Sequence, residues 1–447
     1  DGGVHTLGFW ISPHELLGKN ASISGWVKAE KSSGAALATV FAIGDSGWVE
    51  KARSIEFRDT SDWQAVRLDF RQDDPVHSIY LFLGTEGGGK VWFDDFRLSV
   101  EGREKTSVEV APDFSSEQRL WLKKNVTPFK SCRPAGQGET DDFSDLAFFK
   151  KAVGDAQIIA LGEATHGTSE FFTLKHRLLQ FAVRELGVRV FAIEANQLEV
   201  EKINRYVCGG EGTAEQIIRV MFSVWNTQEM LALIEWMRAW NLENPSRMVE
   251  FVGFDLQDPS LPMDSLSQFF GDWEPALRPL ADSLQRGYRA AWRAQYYPQA
   301  PDSVRLAWKV NADRVLALVN ARLAEWRGKA NSPAAKKRVE WALQNTRVVS
   351  QAADIAFSQK VSGRDTFMAE NIRWIQSMRS PGTRILVWAH DSHIARSDHP
   401  DQRFNYHSGD SMGKYLSRIF GNKYKAFGLF TAGGQYSATI SFSNHKM

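Results

Sequence analysis

The sequence predicts a two-domain chain. An all-β sandwich of jelly-roll type comes first, and an α/β domain with a parallel central sheet and a helical insertion follows. Three observations carry this. The first hundred residues hold only short β-rich runs. Beyond them, buried apolar runs alternate with helical ones, the mark of a parallel sheet wrapped on both faces. Roughly 120 residues between two of those runs have no strand signal at all, only amphipathic helical periodicity. At 447 residues the chain is also too long for one ordinary core.

Residues 1–104 contain SISGWVKAE (22–30), ALATVFAIG (36–44), WQAVRLDF (63–70), HSIYLFLG (77–84) and KVWFDDFRLSV (90–100). Gly, Asp and Pro turns separate them at the spacing of a sandwich. A polar stretch without a clear period then ends in PDFSS, and residues 105–120 are read as the linker. The α/β domain takes 121–447. Its strands are expected at 157–162, 188–195, 248–256, 383–390 and 424–430, with helices near 145–153, from about Glu170 until Gly187 ends it, and near 198–207 and 213–240. The insertion spans about 262–360, with helices at 266–270, 284–292, 304–326 and 334–357. Its aromatic cluster Tyr288, Trp292, Tyr296 and Tyr297 is expected in the insertion's core, the alternative being the wall of a pocket.

Composition excludes several function classes. The net charge of +1 implies neither nucleic acid nor an anionic membrane as partner. No apolar run approaches the ~20 residues that span a bilayer. Two cysteines, Cys132 and Cys208, rule out a disulfide framework and a cysteine zinc cluster. The start at Asp1-Gly2-Gly3 shows no signal peptide and fits a mature or trimmed beginning.

The chemistry is expected at strand ends. The first α/β strand runs out at Glu163 and His166, the second at Glu194, the third at Asp255, and the fourth at His390 with His393 beyond. In a parallel sheet these side chains meet at one carboxyl edge, where open α/β sheets bind ligands. A histidine beside a carboxylate is a general base able to deprotonate water. The pattern G-x-S-x-G occurs at 409–413, but a polar segment precedes it, whereas a nucleophile elbow follows a buried strand. Ser411 is therefore expected to cap the helix 412–420. Glu163, His166, Glu194 and His390 are also ligand types for a divalent metal, which stands as the alternative to a cofactor-free site.

Several blocks resemble the erythromycin esterase family. They are LGEATHGTSEFF with LKHRLLQF, then FAIEAN, GFDLQ, RDTFMAENIRW, VWAHDSHIA and SMGKYLSRIFGNKYKAFGLF, in the family's order from about residue 142 to 430. The resemblance implies a hydrolase that attacks an ester through an activated water, without a covalent serine intermediate. By position it implies His166 as general base, Glu163 orienting that base or the water, and Glu194 and His390 completing the catalytic edge. Lys175, His176, Asp255 and His393 are the substrate-binding candidates. Lys175 stands where macrolide-cleaving members can carry arginine; lysine keeps the charge and loses the planar fork, which argues against a macrolide substrate. The glycine-plus-histidine signature is also similar to that of Tiki-type metal-dependent proteases and haem-binding lipoproteins, so metal hydrolysis and plain ligand binding stay open. The expected partner is a small-molecule or glycan ester. The N-terminal domain's ending VWFDDFRL resembles the last strand of carbohydrate-binding jelly rolls, so carbohydrate binding there stands beside a structural sandwich with no ligand. That accessory domain favours a secreted or periplasmic protein.

Overall fold

A computed structural model of the chain describes all residues except 1–3, 12–15, 45–46, 55, 75, 77, 87–88, 106–114, 137, 294–299, 359–361, 397–409 and 431–447. Two compact units divide at residue 128, the second running from 129 to 435. Among the described residues no helix is long and apolar enough to cross a membrane.

The first unit is an antiparallel sheet of seven strands: β1 (Val4–Ile11), β2 (Lys19–Gly44), β3 (Gly47–Arg53), β4 (Phe57–Gln72), β5 (Ser78–Glu86), β6 (Lys90–Val100) and β7 (Arg103–Lys105). The expected runs 22–30 and 36–44 are one strand, β2. The chain does not turn back between them. Lys31 adopts a positive φ of 51° and the ladder shifts register there, so β2 changes partners instead of ending. Its first half pairs with β4 and β6, its second half with β3 and β5. Ala21 and Ile23 from the first half share one buried cluster with Val40 and Ala42 from the second, closed by Leu68, Leu81 and Val100. A helix, α1 (Ser116–Asn125), begins within the expected linker, where Ser115 and Gln118 form a reciprocal capping box.

The second unit carries five parallel strands, β8 (Ile158–Leu161), β9 (Val188–Asn196), β10 (Glu250–Asp255), β11 (Arg384–Trp388) and β12 (Tyr424–Phe427), in the order β10-β9-β11-β8-β12. Side-chain alternation sorts them between two cores. Ile159, Leu161, Phe191, Ile193 and Trp388 face one cluster, while Ile158, Ala160, Val190, Ala192 and Val387 face the other. That two-sided burial is why these strands read as continuous apolar runs.

The helices are α2 (Ala147–Val153), α3 (Ser169–Glu185), α4 (Glu201–Val207), α5 (Ala214–Ile217), α6 (Gln228–Glu243), α7 (Ser260–Trp273), α8 (Arg278–Arg293), α9 (Asp302–Lys329), α10 (Pro333–Ser358), α11 (Ser362–Ser377), α12 (Asp391–Ile394) and α13 (Met412–Phe420). Helices α7 to α10 form the insertion around their own core, which holds Phe270, Tyr288, Trp308 and Trp326. Tyr288 is buried and stacks on Trp308 at 5.4 Å. Trp292 is half-buried, and Tyr296 and Tyr297 lie outside the described residues. The helical run expected at 213–240 is broken: α5 passes into two short 3-10 turns before α6 restarts at a side-chain cap from Thr227. This break places residues 220–226 at the carboxyl edge of the sheet.

Candidate active site

The edge is built from β8 outward. After the fully buried Ile158–Leu161 the chain passes Gly162, where a Cβ would lie 1.8 Å from Asp391 Oδ1 and 2.7 Å from Ile394 Cδ1. Only glycine lets α12 pack this close. Glu163 follows, fully buried, with three donors on its carboxylate. His166 Nδ1 reaches Oε1 at 2.8 Å, while Lys175 Nζ and Trp388 Nε1 each reach Oε2 at 3.0 Å. Lys175, also fully buried, comes from the second turn of α3 and sits 4.4 Å from the Trp388 ring centre. Burial pushes its pKa down and the Glu163 carboxylate pushes back. With Nδ1–H donated to Glu163, Nε2 is the basic nitrogen of His166. The His166 side chain is 33 % exposed, so solvent meets the imidazole but not the carboxylate behind it.

Strands β9, β10 and β11 supply the second half. Glu194 accepts the His390 backbone N–H at 3.1 Å on Oε2 and Arg364 Nη2 at 2.7 Å on Oε1. Arg364 forks onto Asp255 as well, at 3.0 and 2.7 Å. His393 bridges Asp365, at 2.8 Å through Nδ1, and Glu194, at 3.3 Å through Nε2. Burial alone would discharge this imidazole, but Glu194 and Asp365 outweigh it and push its pKa up to about 9. Arg364 Nη1 and His393 Nε2, two donors, stand 3.3 Å apart. Three carboxylates around two cations make that contact tolerable. The Glu194 carboxyl is itself held well below the usual range by His393 and Arg364, against the penalty of its burial.

His390 differs. Its Nε2 lies 3.1 Å from the Ala164 carbonyl and so carries the proton, while Nδ1 accepts the Ser392 N–H at 3.2 Å. Burial, with His166 and His393 nearby, pushes its pKa down to about 4, leaving it neutral. The His390 and His166 rings are 5.3 Å apart. Trp225, from the broken helical segment, stands edge-on to His166 at 5.2 Å and donates to the Glu194 carbonyl at 2.9 Å.

The structure thus brings Glu163, His166, Glu194 and His390 to one edge, with Asp255 and His393 behind them. The four residues expected to bind substrate are all enclosed. Lys175 is wholly enclosed and spends its ammonium on Glu163. His176 is buried on the far side of α3, against Gln180 at 3.4 Å and Trp236 at 5.7 Å, and burial pushes its pKa down to about 3. Asp255 is fully buried and held by Arg364 and Gln257, and His393 is almost as enclosed. Lys175, Asp255 and His393 hold the site's residues from behind, and His176 packs away from them. Sequence reasoning missed Arg364, Asp365 and Trp225. The first two open the block RDTFMAENIRW, but on a helix, away from any strand end.

The lone pairs that a divalent ion would need at Glu163, His166, Glu194 and His390 are largely committed to protein donors or, on His390 Nε2, replaced by a proton. The four do not fit a metal-ligand set in this arrangement. Among the described residues, the group of acids and histidines whose ligand atoms converge within 4.8 Å is Asp141, Asp142 and Asp145, and Arg177 already forks onto the first and last. Ser411 caps α13, accepting from Lys414 N at 3.2 Å, and donates to the Ala395 carbonyl at 2.6 Å. A Cβ on Gly413 would lie 2.1 Å from the Ile394 carbonyl, so the G-x-S-x-G glycine serves packing.

A cleft of about 340 Å³ opens at the ends of β9 and β10. Asn196 at the end of β9 and Glu199, Gln257 and Asp258 from the segments after β9 and β10 line it, with residues 220–222 and Trp292 of α8. Burial, aided by Asp258 and Asp255 and opposed by Asn196 and Lys202, pushes the Glu199 carboxyl up to about 7.

The family model described as erythromycin esterase matches residues 183–447, more than half of the chain. The chain belongs to the erythromycin esterase family. It is similar to erythromycin esterase type II of Escherichia coli, 24% identical over 340 residues that cover 71% of this chain and 78% of that one. A solved Bacillus cereus protein shares the fold at TM-score 0.60 and 24% identity, covering 71% of this chain and 75% of its own. A histidine-to-asparagine mutant of the erythromycin esterase EreC, in its open conformation, gives TM-score 0.54 at 16% identity, over 66% of this chain and 76% of that one. Membership makes hydrolysis the chemistry to be explained. The family match begins within α3, so Glu163 and His166 precede it.

Proposed function

We propose that this chain hydrolyses a carboxylic ester by direct attack of a water that His166 activates. His166 Nε2 takes a proton from the water as its oxygen adds to the ester carbonyl, and the carbonyl electron pair moves onto oxygen. The tetrahedral adduct collapses, the C–O bond to the alcohol breaks, and the leaving alkoxide takes the proton back from His166. Glu163 stabilises the imidazolium that forms between these steps, and Lys175 and Trp388, both donating to Oε2, hold that carboxylate in place. Neutral His390 lets the charge develop without a second cation beside it. Acid–base catalysis of this kind is worth ~10²–10⁴-fold.

The observation that carries the reading is the 2.8 Å contact between a solvent-accessible imidazole and a wholly buried, triply held carboxylate. An ester panel including a macrolide, combined with rapid-quench intact-protein mass spectrometry, tests it. Turnover with no acyl adduct on the protein is expected; an accumulating adduct of acyl mass refutes water attack. Lys175 does not reach the surface here, so the charge matched to macrolide-cleaving arginine serves Glu163, and a macrolide is not the expected substrate.

Glycan binding by the first unit is a second reading with its own observation. Trp26, Trp63 and Trp92 are exposed on the neighbouring strands β2, β4 and β6. Trp26 pairs with Ala65 and Asp94, each two residues from another of these tryptophans, so the indoles sit at diagonal spacings of ~7–8 Å. Exposed indoles stack on the C–H faces of sugars. Polysaccharide retention by the full chain, lost on Trp26→Ala with Trp92→Ala, is the expected result; equal retention by both proteins removes this reading.

A further inference from the structure

We infer that the cleft at the ends of β9 and β10 holds a hydroxyl-bearing, uncharged ring of the substrate, a sugar-like group joined to the ester. This rests on the esterase reading and extends it to the substrate class. The cleft is wired to the catalytic edge from two sides. Gln257 Nε2 donates to Asp255 Oδ2 at 2.7 Å, and Asp255 shares Arg364 with Glu194. Phe222 begins the turn that carries Trp225 onto His166. From β8 to β9 is two strand spacings, ~10 Å, a span that a single substrate molecule can cover.

The lining selects the group. Asn196, Glu199, Gln257 and Asp258 offer carboxylates and carboxamides, held in place: Asn196 Nδ2 binds Glu199 at 3.0 Å, and Asn196 Oδ1 accepts the Asp258 N–H at 3.1 Å. Among the described lining residues there is no lysine, arginine or histidine, so an anionic group meets two acids. Glu199 already has Asn196 Nδ2 and the nearby Lys202, and Asp258 accepts the Ser260 N–H, so a cationic group finds no bare carboxylate. Phe222 and Trp292 add aromatic surface. Hydroxyls donate to carboxylates while a ring's C–H face rests on an indole, a combination that a sugar satisfies and a plain hydrocarbon does not. Remote contacts of this kind raise turnover of a substrate that spans both places.

The probes are 4-(glucosyloxy)butyl acetate, its cyclohexyl analogue, its glucuronosyl analogue and a piperidinium analogue, whose spacer puts the ring at the strand-spacing distance, with butyl acetate as reference. The full chain is expected to favour the glucosyl ester by about tenfold in kcat/KM over each ring analogue, the worth of one charge-assisted hydrogen bond. Glu199→Gln narrows the gap between glucosyl and glucuronosyl esters, and Trp292→Ala brings the glucosyl ester down toward butyl acetate. Equal rates for the glucosyl and cyclohexyl esters, or preference for the glucuronosyl or piperidinium ester, overturn the inference. If no ester, butyl acetate included, is hydrolysed, the esterase reading fails and the cleft is tested by saturation-transfer NMR of the glucosyl ester on His166→Ala protein. Pyranose contacts that Trp292→Ala abolishes uphold the cleft; contacts that are absent, or survive that change, refute it.

Discussion

Lys175→Met probes the buried support of the site. Lys175 and Glu163 are both fully enclosed and 3.0 Å apart. Removing one partner of such a pair leaves an uncompensated buried charge, which costs about 3–5 kcal/mol. Glu163 keeps two donors, from His166 and Trp388, so the lower end applies, about 3 kcal/mol. For a unit of this size that lowers the melting temperature by roughly 6 °C. Replacing both charges at once, Glu163→Gln with Lys175→Met, exchanges an ion pair for neutral groups of similar volume and is expected to return stability to near wild type. Activity is expected to divide from stability. Lys175→Met takes away one of the three donors that aim the carboxylate behind His166, and the double variant replaces that carboxylate by an amide, so both lose ~10²-fold or more in kcat. Calorimetry of the four proteins of this cycle, with initial rates on one ester, measures both quantities. A lysine that had lost its proton would make Lys175→Met nearly free of cost. A single variant that melts with wild type, or a double variant as weak as the single, refutes the account of Glu163.

Three further outcomes follow from the same geometry. His393 has a folded pKa of about 9, above its unfolded value of ~6.5. Its contribution is full below pH 6.5 and is lost as pH rises through 9, so the stability difference between wild type and His393→Gln should shrink over that window; a constant difference counts against the charged imidazole. Gly162→Ala pushes a methyl group into Asp391 Oδ1 and Ile394. A loss of about 1–3 kcal/mol with impaired turnover is expected, and an alanine variant matching wild type in melting and rate would contradict the close packing of α12. Dialysis against a chelator should leave ester turnover unchanged, whereas activity lost and then restored by one equivalent of a divalent ion would favour the metal reading.

Strand ends were legible in the sequence because four apolar runs, too short for helices, each stop at an acid or a histidine. Parallel pairing does the rest, carrying side chains far apart in the chain to one edge. Burial beyond the strands was not legible. Helix α3 packs between the sheet and α6, and Lys175, His176 and Arg177 are all buried on it, each beside its own partners. A polar residue on a helix reads as solvent-facing or ligand-facing until those partners are known, which is why two were assigned to substrate. Arg364 escaped for the converse reason: its partners Glu194 and Asp255 lie 170 and 109 residues away, and nothing local marks the pairing. The break inside 213–240 has no Pro or Gly to announce it. Only Thr227, a cap before an apolar run, signals the restart that brings Trp225 to His166. In β2 a polar KSSG segment reads as a turn, although the strand continues through it.

The central claim is that the imidazole of His166 carries the proton out of the attacking water. Its most direct test is kcat/KM of His166→Ala against wild type, on an ester that wild type cleaves, using protein whose melting curve matches wild type. A fall of at least ~10²-fold is the expected result. Turnover within a few-fold of wild type, from a folded alanine variant, would contradict it.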